Sequence, residues 1–193
     1  YVFVHDNHGH EAIGIYQGTS SPFTVNNVAP EGVDGTLSIE DTDGSGDLEL
    51  IVPGGETTGF GLTFEVRDAN SCSSTAGLPE IEEAVVSLFR SGVGSSSCVT
   101  SGDFDQNNCY NNSVPTTTWN LVCTASSTQC THSSSTPDDT ALFECTFPLQ
   151  FITDPTAPNS FYDTETWQAA VGGVDDDGVT TTNRQVGATA QEV

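Results

Sequence analysis

The amino-acid sequence predicts an all-β fold built as an antiparallel β-sandwich. Roughly seven short segments are rich in β-branched and aromatic residues, and Gly, Pro, Asn and Asp punctuate the stretches between them. Helical periodicity is almost absent, and strands do not alternate with helices as they would in a parallel sheet. The clearest strand covers residues 60–66, where Phe60, Leu62, Phe64 and Val66 alternate with smaller or polar residues. This alternation predicts a strand with one buried face.

A hairpin is predicted near each end of the chain. In residues 167–182 an apolar stretch precedes a turn at Asp177-Gly178, and β-branched residues follow it. Residues 1–9 align with residues 170–178, so the same hairpin is predicted at the start. The predicted organisation is a terminal hairpin of a preceding or neighbouring module at residues 1–28, a linker at 29–35 and one complete module at 36–193.

Within the complete module, predicted strands are separated by polar turns. They cover residues 36–39, 48–52, 60–66, 84–90, 118–124, 141–152, 166–171 and 179–182. Residues 81–84 could instead begin a helical turn, and Pro148 predicts an edge or a bulge in its strand. Residues 91–118 contain few apolar side chains, which predicts a long excursion outside the core.

The charge balance is strongly acidic. The 193 residues carry 27 Asp and Glu against three basic residues, all Arg, for a formal net charge of −24. Nucleic acid is excluded as a partner, because binding to phosphates requires a basic face. The excess of acidic residues favours solubility in a salty or extracellular medium and also permits binding of divalent cations. No apolar run approaches the roughly 20 residues that span a bilayer, so we predict no membrane span.

Six cysteines predict three disulfides in an exported protein. None belongs to a CxxC pair, so the spacing of a zinc ribbon is absent, and the surrounding loops are rich in Ser, Thr, Gly and Asn. This usage predicts an extracellular or cell-surface location. The cysteines are Cys72, Cys98, Cys109, Cys123, Cys130 and Cys145.

Successive motifs of the chain resemble those of a known group of modules. They read FTVNNVAP, DTDGSGDLEL, GETTGF, RDANSC, LFRSGVGSSSC, NNCY, ECTFPLQFITDPT and TWQAAVGGVDDDG. They are similar to the tandem immunoglobulin-like modules of large secreted surface proteins of bacteria, including candidate-phylum bacteria. The resemblance covers almost the whole chain, with residues 1–28 matching the end of a preceding module. It implies an immunoglobulin-like antiparallel β-sandwich, export, repetition and no enzymatic activity.

Strand directions predict how the cysteines pair. If residues 60–66 run up the sandwich, each following strand reverses direction, and the loops at the two ends bring cysteines together. The predicted bonds are Cys98–Cys109 in a lower loop, Cys123–Cys130 in an upper crossing and Cys72–Cys145 near the top.

Two groups of oxygen-bearing side chains are candidate calcium sites. The first has the alternate spacing of the first half of a calcium loop, and consists of Asp41, Asp43, Ser45 and Asp47. Its twelfth position is Val52 rather than Glu, so an acidic β-turn is the alternative. The second is placed at one end of the sandwich by the predicted strand directions, and consists of Asp68, Asp175, Asp176 and Asp177. If calcium binds the folded state, chelation lowers the melting temperature.

Other chemistry is sparse in the sequence. His8 and His10, with Asp6 and Glu11, could hold a transition metal on one strand face, although turn residues of this kind usually face water. No GxSxG or HExxH motif and no reactive Cys–His pairing occurs, so we predict no enzyme. The absence of lysine excludes an internal Lys–Asn isopeptide bond.

These features predict a non-enzymatic structural repeat of an extracellular stalk, sheath or filament, whose partners are copies of itself or adjacent immunoglobulin-like modules. The alternative is a calcium-dependent adhesin or carbohydrate-binding module that meets a surface glycan or protein at residues 91–114. Only Phe104 and Tyr110 supply aromatic side chains there, which favours the structural role. Trp119 and Trp167 lie inside alternating strands and are predicted to be core. Residues 111–113 form a glycosylation sequon.

The first residues also predict a mode of assembly. Apolar side chains in residues 1–25 have no partner strands of their own module in the chain, and an isolated hairpin is marginal in water. They either pack on upstream sequence or complete a sheet in a neighbouring copy by strand addition, which builds a filament if the contact does not close. The predicted assembly residues are Val2, Val4, Ile13, Ile15 and Phe23.

Overall fold

The computed structural model describes residues 27–41, 48, 60–68, 81–98, 105, 107–112, 121–125, 132–133, 136–137, 140–147, 149, 152–181 and 185–191. Across these residues the regular structure is entirely β, which confirms the predicted class. None of them belongs to a helix long and apolar enough to cross a membrane. In chain order the strands are β1 (Glu31–Gly32), β2 (Ser38–Asp41), β3 (Phe60–Arg67), β4 (Ile81–Arg90), β5 (Cys109–Asn111), β6 (Val122–Ala125), β7 (His132–Ser133), β8 (Thr136–Pro137), β9 (Thr140–Phe147), β10 (Trp167–Asp175) and β11 (Gln185–Gln191).

The larger sheet is antiparallel and has the order β1-β3-β9-β6, with β2 also pairing with β3. Glu31 lies opposite Arg67 and Ser38 opposite Thr63, so β1 and β2 share one edge of β3. β1 falls inside the range predicted as a linker. Strand β6 falls at the end of the strand predicted at residues 118–124 and pairs with β9, which lies in the strand predicted at residues 141–152.

The smaller sheet is also antiparallel and has the order β11-β10-β4-β5. Strand β10 pairs along the whole of β4, from Trp167 opposite Arg90 to Asp175 opposite Ile81. The segment considered as a helical turn is therefore part of β4, and the helical alternative is wrong. Val174 lies opposite Glu83, which leaves Glu82 as the extra residue of a β-bulge.

The core fills the space between the two sheets. Its largest fully buried side chains are Trp167, Tyr110, Phe60, Phe64 and Phe147. Cross-strand aromatic pairs stack at ring-centroid distances of 5.5 Å for Phe60 and Phe147 and 5.7 Å for Phe64 and Phe143. Such pairs stabilise a sheet by about 0.5–1.5 kcal/mol beyond the burial of their area. The predicted burial of Trp167 is confirmed.

The predicted excursion at residues 91–118 contains part of this core. Residues 109–111 form β5, and all three are buried. Tyr110 has no exposed surface and its ring lies 6.0 Å from that of Trp167. The interpretation of Tyr110 as an exposed ligand-binding aromatic is therefore wrong, because β5 places it between the sheets. Phe104 and Trp119 lie outside the described residues.

The closing turn follows the prediction, but the strand after it does not. Gly178 has a φ of 80°, a conformation that favours glycine, and its N–H donates to the carbonyl of Asp175. Thr180 makes an isolated bridge to Val174, and the strand that pairs with β10 on this edge is β11, further along the chain. Thr181 packs against β10 instead, and its Oγ1 accepts a hydrogen bond of 2.7 Å from the N–H of Gly173.

Candidate functional site

Arg90 is the last residue of β4, and its side chain lies almost buried at one end of the sandwich. It retains 8% of its exposure. Its Nε donates to Asp154 Oδ2 at 3.0 Å, and its Nη1 donates to Glu165 Oε2. Its Cζ lies 3.7 Å from the centroid of the Tyr162 ring. Two carboxylates and an aromatic face therefore surround one cation, and we call Arg90, Asp154, Tyr162 and Glu165 the Arg90 cluster.

The backbone around the Arg90 cluster joins the segment after β4 to the segment before β10. The N–H of Ser91 donates to the carbonyl of Thr166 at 2.8 Å, and Ser91 Oγ accepts from the N–H of Thr166 at 3.1 Å. Glu165 Oε2 also accepts from the N–H of Gly92 at 2.8 Å. A Cβ at Gly92 would overlap the Glu165 carboxylate, so a side chain at this position would displace that carboxylate.

A third segment, residues 107–108 before β5, is joined to the Arg90 cluster through Asp154 and Arg90. The N–H of Asp154 donates to the carbonyl of Asn107 at 2.6 Å, and its carbonyl accepts from Trp167 Nε1 at 3.3 Å. The N–H of Arg90 donates to the carbonyl of Asn108 at 3.0 Å. The Arg90 cluster therefore holds together three loop segments that lie far apart in the sequence.

The disulfide between Cys98 and Cys109 joins the segment after β4 to the start of β5, the strand that pairs with β4. Both cysteines are buried, and the bond confirms the predicted pairing. Asp105 shapes the intervening turn, because its Oδ1 accepts from the N–H of Asn107 and its carbonyl accepts from the N–H of Cys109. Asn111 is 1% exposed and donates through Nδ2 to the carbonyl of Cys98. The sequon left glycosylation open, and in the folded chain the Asn111 amide is committed to this buried hydrogen bond.

The second described disulfide joins Cys123 to Cys145. These residues lie directly opposite one another on β6 and β9. The predicted bonds Cys123–Cys130 and Cys72–Cys145 are therefore wrong, because the register of two neighbouring strands brings Cys123 and Cys145 together. Cys72 and Cys130 lie outside the described residues.

Asp175 organises the opposite end of the sandwich. It ends β10, and its Oδ1 accepts from the N–H of Val179 at 2.7 Å across the closing turn. Its Oδ2 accepts from Asn27 Nδ2 at 2.7 Å, which ties the segment before β1 to this turn. We call Asp175, Val179 and Asn27 the Asp175 anchor. Its two carboxylate oxygens meet neutral donors, and this arrangement stabilises a turn without a cation.

The candidate calcium residues divide between the two ends. Asp41 lies opposite Phe60 at the start of β3, whereas Asp68 follows the other end of that strand. Asp68 and Asp175 do share one end, because Gly173 packs against Val66. Asp68 is fully buried, whereas Asp176 and Asp177 are exposed.

No group of three or more His, Cys, Asp or Glu among the described residues is arranged to hold a metal ion. Calcium binding stays a prediction, since three residues of the first group are not described. Asp43, Ser45, Asp47, the histidines near residue 8 and the assembly residues Val2, Val4, Ile13, Ile15 and Phe23 all lie outside the described residues.

A cleft of about 270 Å³ opens on one side of the sandwich. It lies where the start of β4 and the residue after β5 face β6. Its lining is Glu82, Glu83, Ala84, Asn112, Leu121, Val122, Cys123, Ala125 and Phe143. Asn112 is committed to the fold, because it donates to the carbonyl of Ala84 and accepts from the N–H of Val86.

Sequence reasoning did not select Arg90, Asp154 or Glu165 as a cluster. One signal was present, because Arg90 is one of only three basic residues and it ends an apolar strand. A cation at that position in a chain of 27 acids must meet carboxylates. Which carboxylates it meets is decided by the loops, which the sequence pattern does not specify.

Comparison with protein-family models, with curated protein sequences and with solved structures found no match to this chain.

Proposed function

We propose that the chain is a non-enzymatic immunoglobulin-like module with a structural role in an extracellular stalk, sheath or filament. The observation that carries the proposal is the Arg90 cluster. Its charged groups bond to one another and to loop backbone, and together they tie three loop segments to the end of the sandwich. Groups used in this way resist the separation of loops and are not directed at a bound reactant.

The order of the strands supports the immunoglobulin-like part of the proposal. In chain order the strands β2, β3, β4, β5, β6, β9, β10 and β11 divide into sheets β2-β3-β9-β6 and β5-β4-β10-β11. This division corresponds to strands A-B-E-D and C′-C-F-G of that fold. The disulfides differ from those of antibody domains, since Cys123–Cys145 joins neighbouring strands of one sheet rather than the two sheets.

Disulfides also support an extracellular or cell-surface location, because reducing compartments keep thiols reduced. The partners proposed for a structural repeat are neighbouring modules or copies of the same chain. The predicted strand exchange through residues 1–25 belongs to this proposal. Its test is whether Val2 and Val4 become protected from hydrogen exchange on self-association.

A carbohydrate-binding role is the second candidate, and one observation favours it. Phe161 is 87% exposed and its ring lies edge-on to that of Tyr162, with centroids 5.2 Å apart. The Arg90 cluster holds Tyr162 in place, so Phe161 stands on a supported loop. An exposed aromatic ring on a supported loop is a platform on which a sugar could stack.

A glycan array probed with the purified, oxidised chain distinguishes the two candidates. The structural proposal expects no glycan signal above background and a cooperative unfolding transition unaffected by added sugars. Saturable glycan binding that is lost in Phe161→Ala would overturn it in favour of the second candidate. Thr124→Ala, an exposed substitution on another part of the surface, is the matched control.

A further inference from the structure

The cleft beside β6 lies at the open side of the sandwich. Strand β6 is the last strand of the larger sheet and β5 is the last strand of the smaller one, as far as the sheets are described. The 270 Å³ cleft is lined from both sheets. Ligand pockets for drug-sized molecules have volumes of roughly 300–1,000 Å³, so this cleft suits a single long side chain better than a whole small molecule.

The lining divides into an apolar inner part and an acidic outer part. Ala84, Leu121 and Phe143 are buried and form the inner part. Glu82 and Glu83 are exposed and stand at the outer part. A side chain with an apolar stem and a cationic end matches both parts, because Lys and Arg bury their methylene groups while their charge meets carboxylates.

The two glutamates reach the cleft because of the β-bulge in β4. In a regular strand, successive side chains point to opposite faces of the sheet. The bulge at Glu82 interrupts this alternation, so Glu82 and Glu83 are both exposed and both line the cleft. Bulges re-aim side chains in this way at functional surfaces.

Strand β6 is the outermost described strand of the larger sheet, and it lacks two of the residue types that protect a sheet edge. Its four residues contain neither Lys nor Pro, and Val122 is 60% exposed. Thr124 and Ala125 are also exposed. A strand at the end of a sheet can accept an extended segment of another chain through backbone hydrogen bonds, and β6 is such a strand among the described residues.

We propose that the cleft and β6 together bind an extended basic segment of a partner protein. The segment lies along β6, and one of its Lys or Arg side chains enters the cleft. Its stem packs on Leu121 and Phe143, and its charged end lies between Glu82 and Glu83. The partner differs from this chain, which has no lysine and only three arginines, one of them enclosed in the Arg90 cluster.

The test is a titration of the oxidised chain with a short fluorescent peptide of alternating lysine and valine, read by anisotropy at physiological salt. The double variant Glu82→Gln/Glu83→Gln is expected to weaken binding by at least about tenfold, because the charges it removes pair with a partly desolvated cation. The matched control is Glu40→Gln/Asp163→Asn, which removes two exposed charges elsewhere. It should change affinity by about twofold at most, as screened surface charges do.

A second pair of variants tests the cleft without removing acids. Val122→Lys places a competing cation beside the glutamates and should abolish binding, whereas Phe161→Lys adds the same charge away from the cleft and should not. Equal loss in the Glu82/Glu83 variant and its control would mean that the peptide senses only the net charge, which overturns the proposal. Undiminished binding to Val122→Lys would also overturn it.

Discussion

The Arg90 cluster and the Asp175 anchor do the same mechanical task at opposite ends of the sandwich with different chemistry. At one end a cation lies between two carboxylates from segments 64 and 75 residues away. At the other a carboxylate accepts hydrogen bonds from a backbone N–H and from the amide of Asn27, which is 148 residues away. Both tie distant segments to a strand end. Only the first depends on opposite charge.

The difference shows how a chain with 27 acids and three basic residues builds its contacts. Basic residues are too few to neutralise most carboxylates, so one of them is placed where it joins several segments at once. At Asp175 and Asp105 neutral donors satisfy the carboxylate instead, and such donors hydrogen-bond to a carboxylate more strongly than to a neutral acceptor. The two ends should therefore respond differently when their central residue is removed.

The largest effect is expected from Arg90→Met. This variant keeps much of the side-chain volume but leaves Asp154 and Glu165 facing one another without a cation, in positions of 15% and 24% side-chain exposure. Breaking such a pair costs about 4 kcal/mol of unfolding free energy. Urea unfolding measures the loss.

Arg67→Met is the matched control, because it removes an exposed arginine at the end of β3. It should cost less than about 1 kcal/mol, as surface ion pairs do. Equal losses in the two variants would contradict a special role of the Arg90 cluster.

The next largest effect is expected from the disulfides. Replacing Cys98 and Cys109, or Cys123 and Cys145, with alanine should cost about 3 kcal/mol in each case, because the unfolded chain regains the freedom of the opened loop. Only the first pair is joined to the Arg90 cluster, through the loop between Cys98 and Cys109. The unfolding free energies lost in the first double-cysteine variant and in Arg90→Met should therefore deviate from additivity by at least about 0.5 kcal/mol when combined. The losses from the second double-cysteine variant and Arg90→Met should be additive.

Double-mutant cycles by urea unfolding measure both couplings, and additivity for both pairs would show that the first disulfide and the cluster are independent.

Peptide mapping without reduction checks the bonds themselves. It should recover Cys98 linked to Cys109 and Cys123 linked to Cys145. It should also recover Cys72 linked to Cys130, since these are the two cysteines left.

The smallest effect is expected from Asp175→Ala. The variant removes the acceptor of two hydrogen bonds, but Val179 and Asn27 are only half-buried, so water replaces the carboxylate. We expect a loss of about 1.5 kcal/mol, in the range of hydrogen bonds to charged groups. Thermal unfolding measures it, with the exposed neighbour Asp176→Ala as the control. A loss as large as that of Arg90→Met would show that charge pairing does not distinguish the two ends.

Much of the fold could be predicted because its signals are local. The alternation at residues 60–66 reappears as β3, and the turn at Gly178 follows from a glycine that adopts a positive φ. The bond between Cys98 and Cys109 was also predictable, since the loop between them is short. The long excursion was misjudged because β5 has only three residues, too few for a period-two pattern.

By itself the sequence determined the all-β class, the burial of Trp167 and the acidity that makes each arginine important. Tertiary structure alone decided that Cys123 pairs with Cys145, that Arg90 meets Asp154 and Glu165, and that a bulge turns Glu82 and Glu83 toward one cleft. The reason is physical. Alternation and turn residues act between neighbours in the chain, whereas strand register and loop packing depend on contacts between residues far apart in sequence, which no local pattern records.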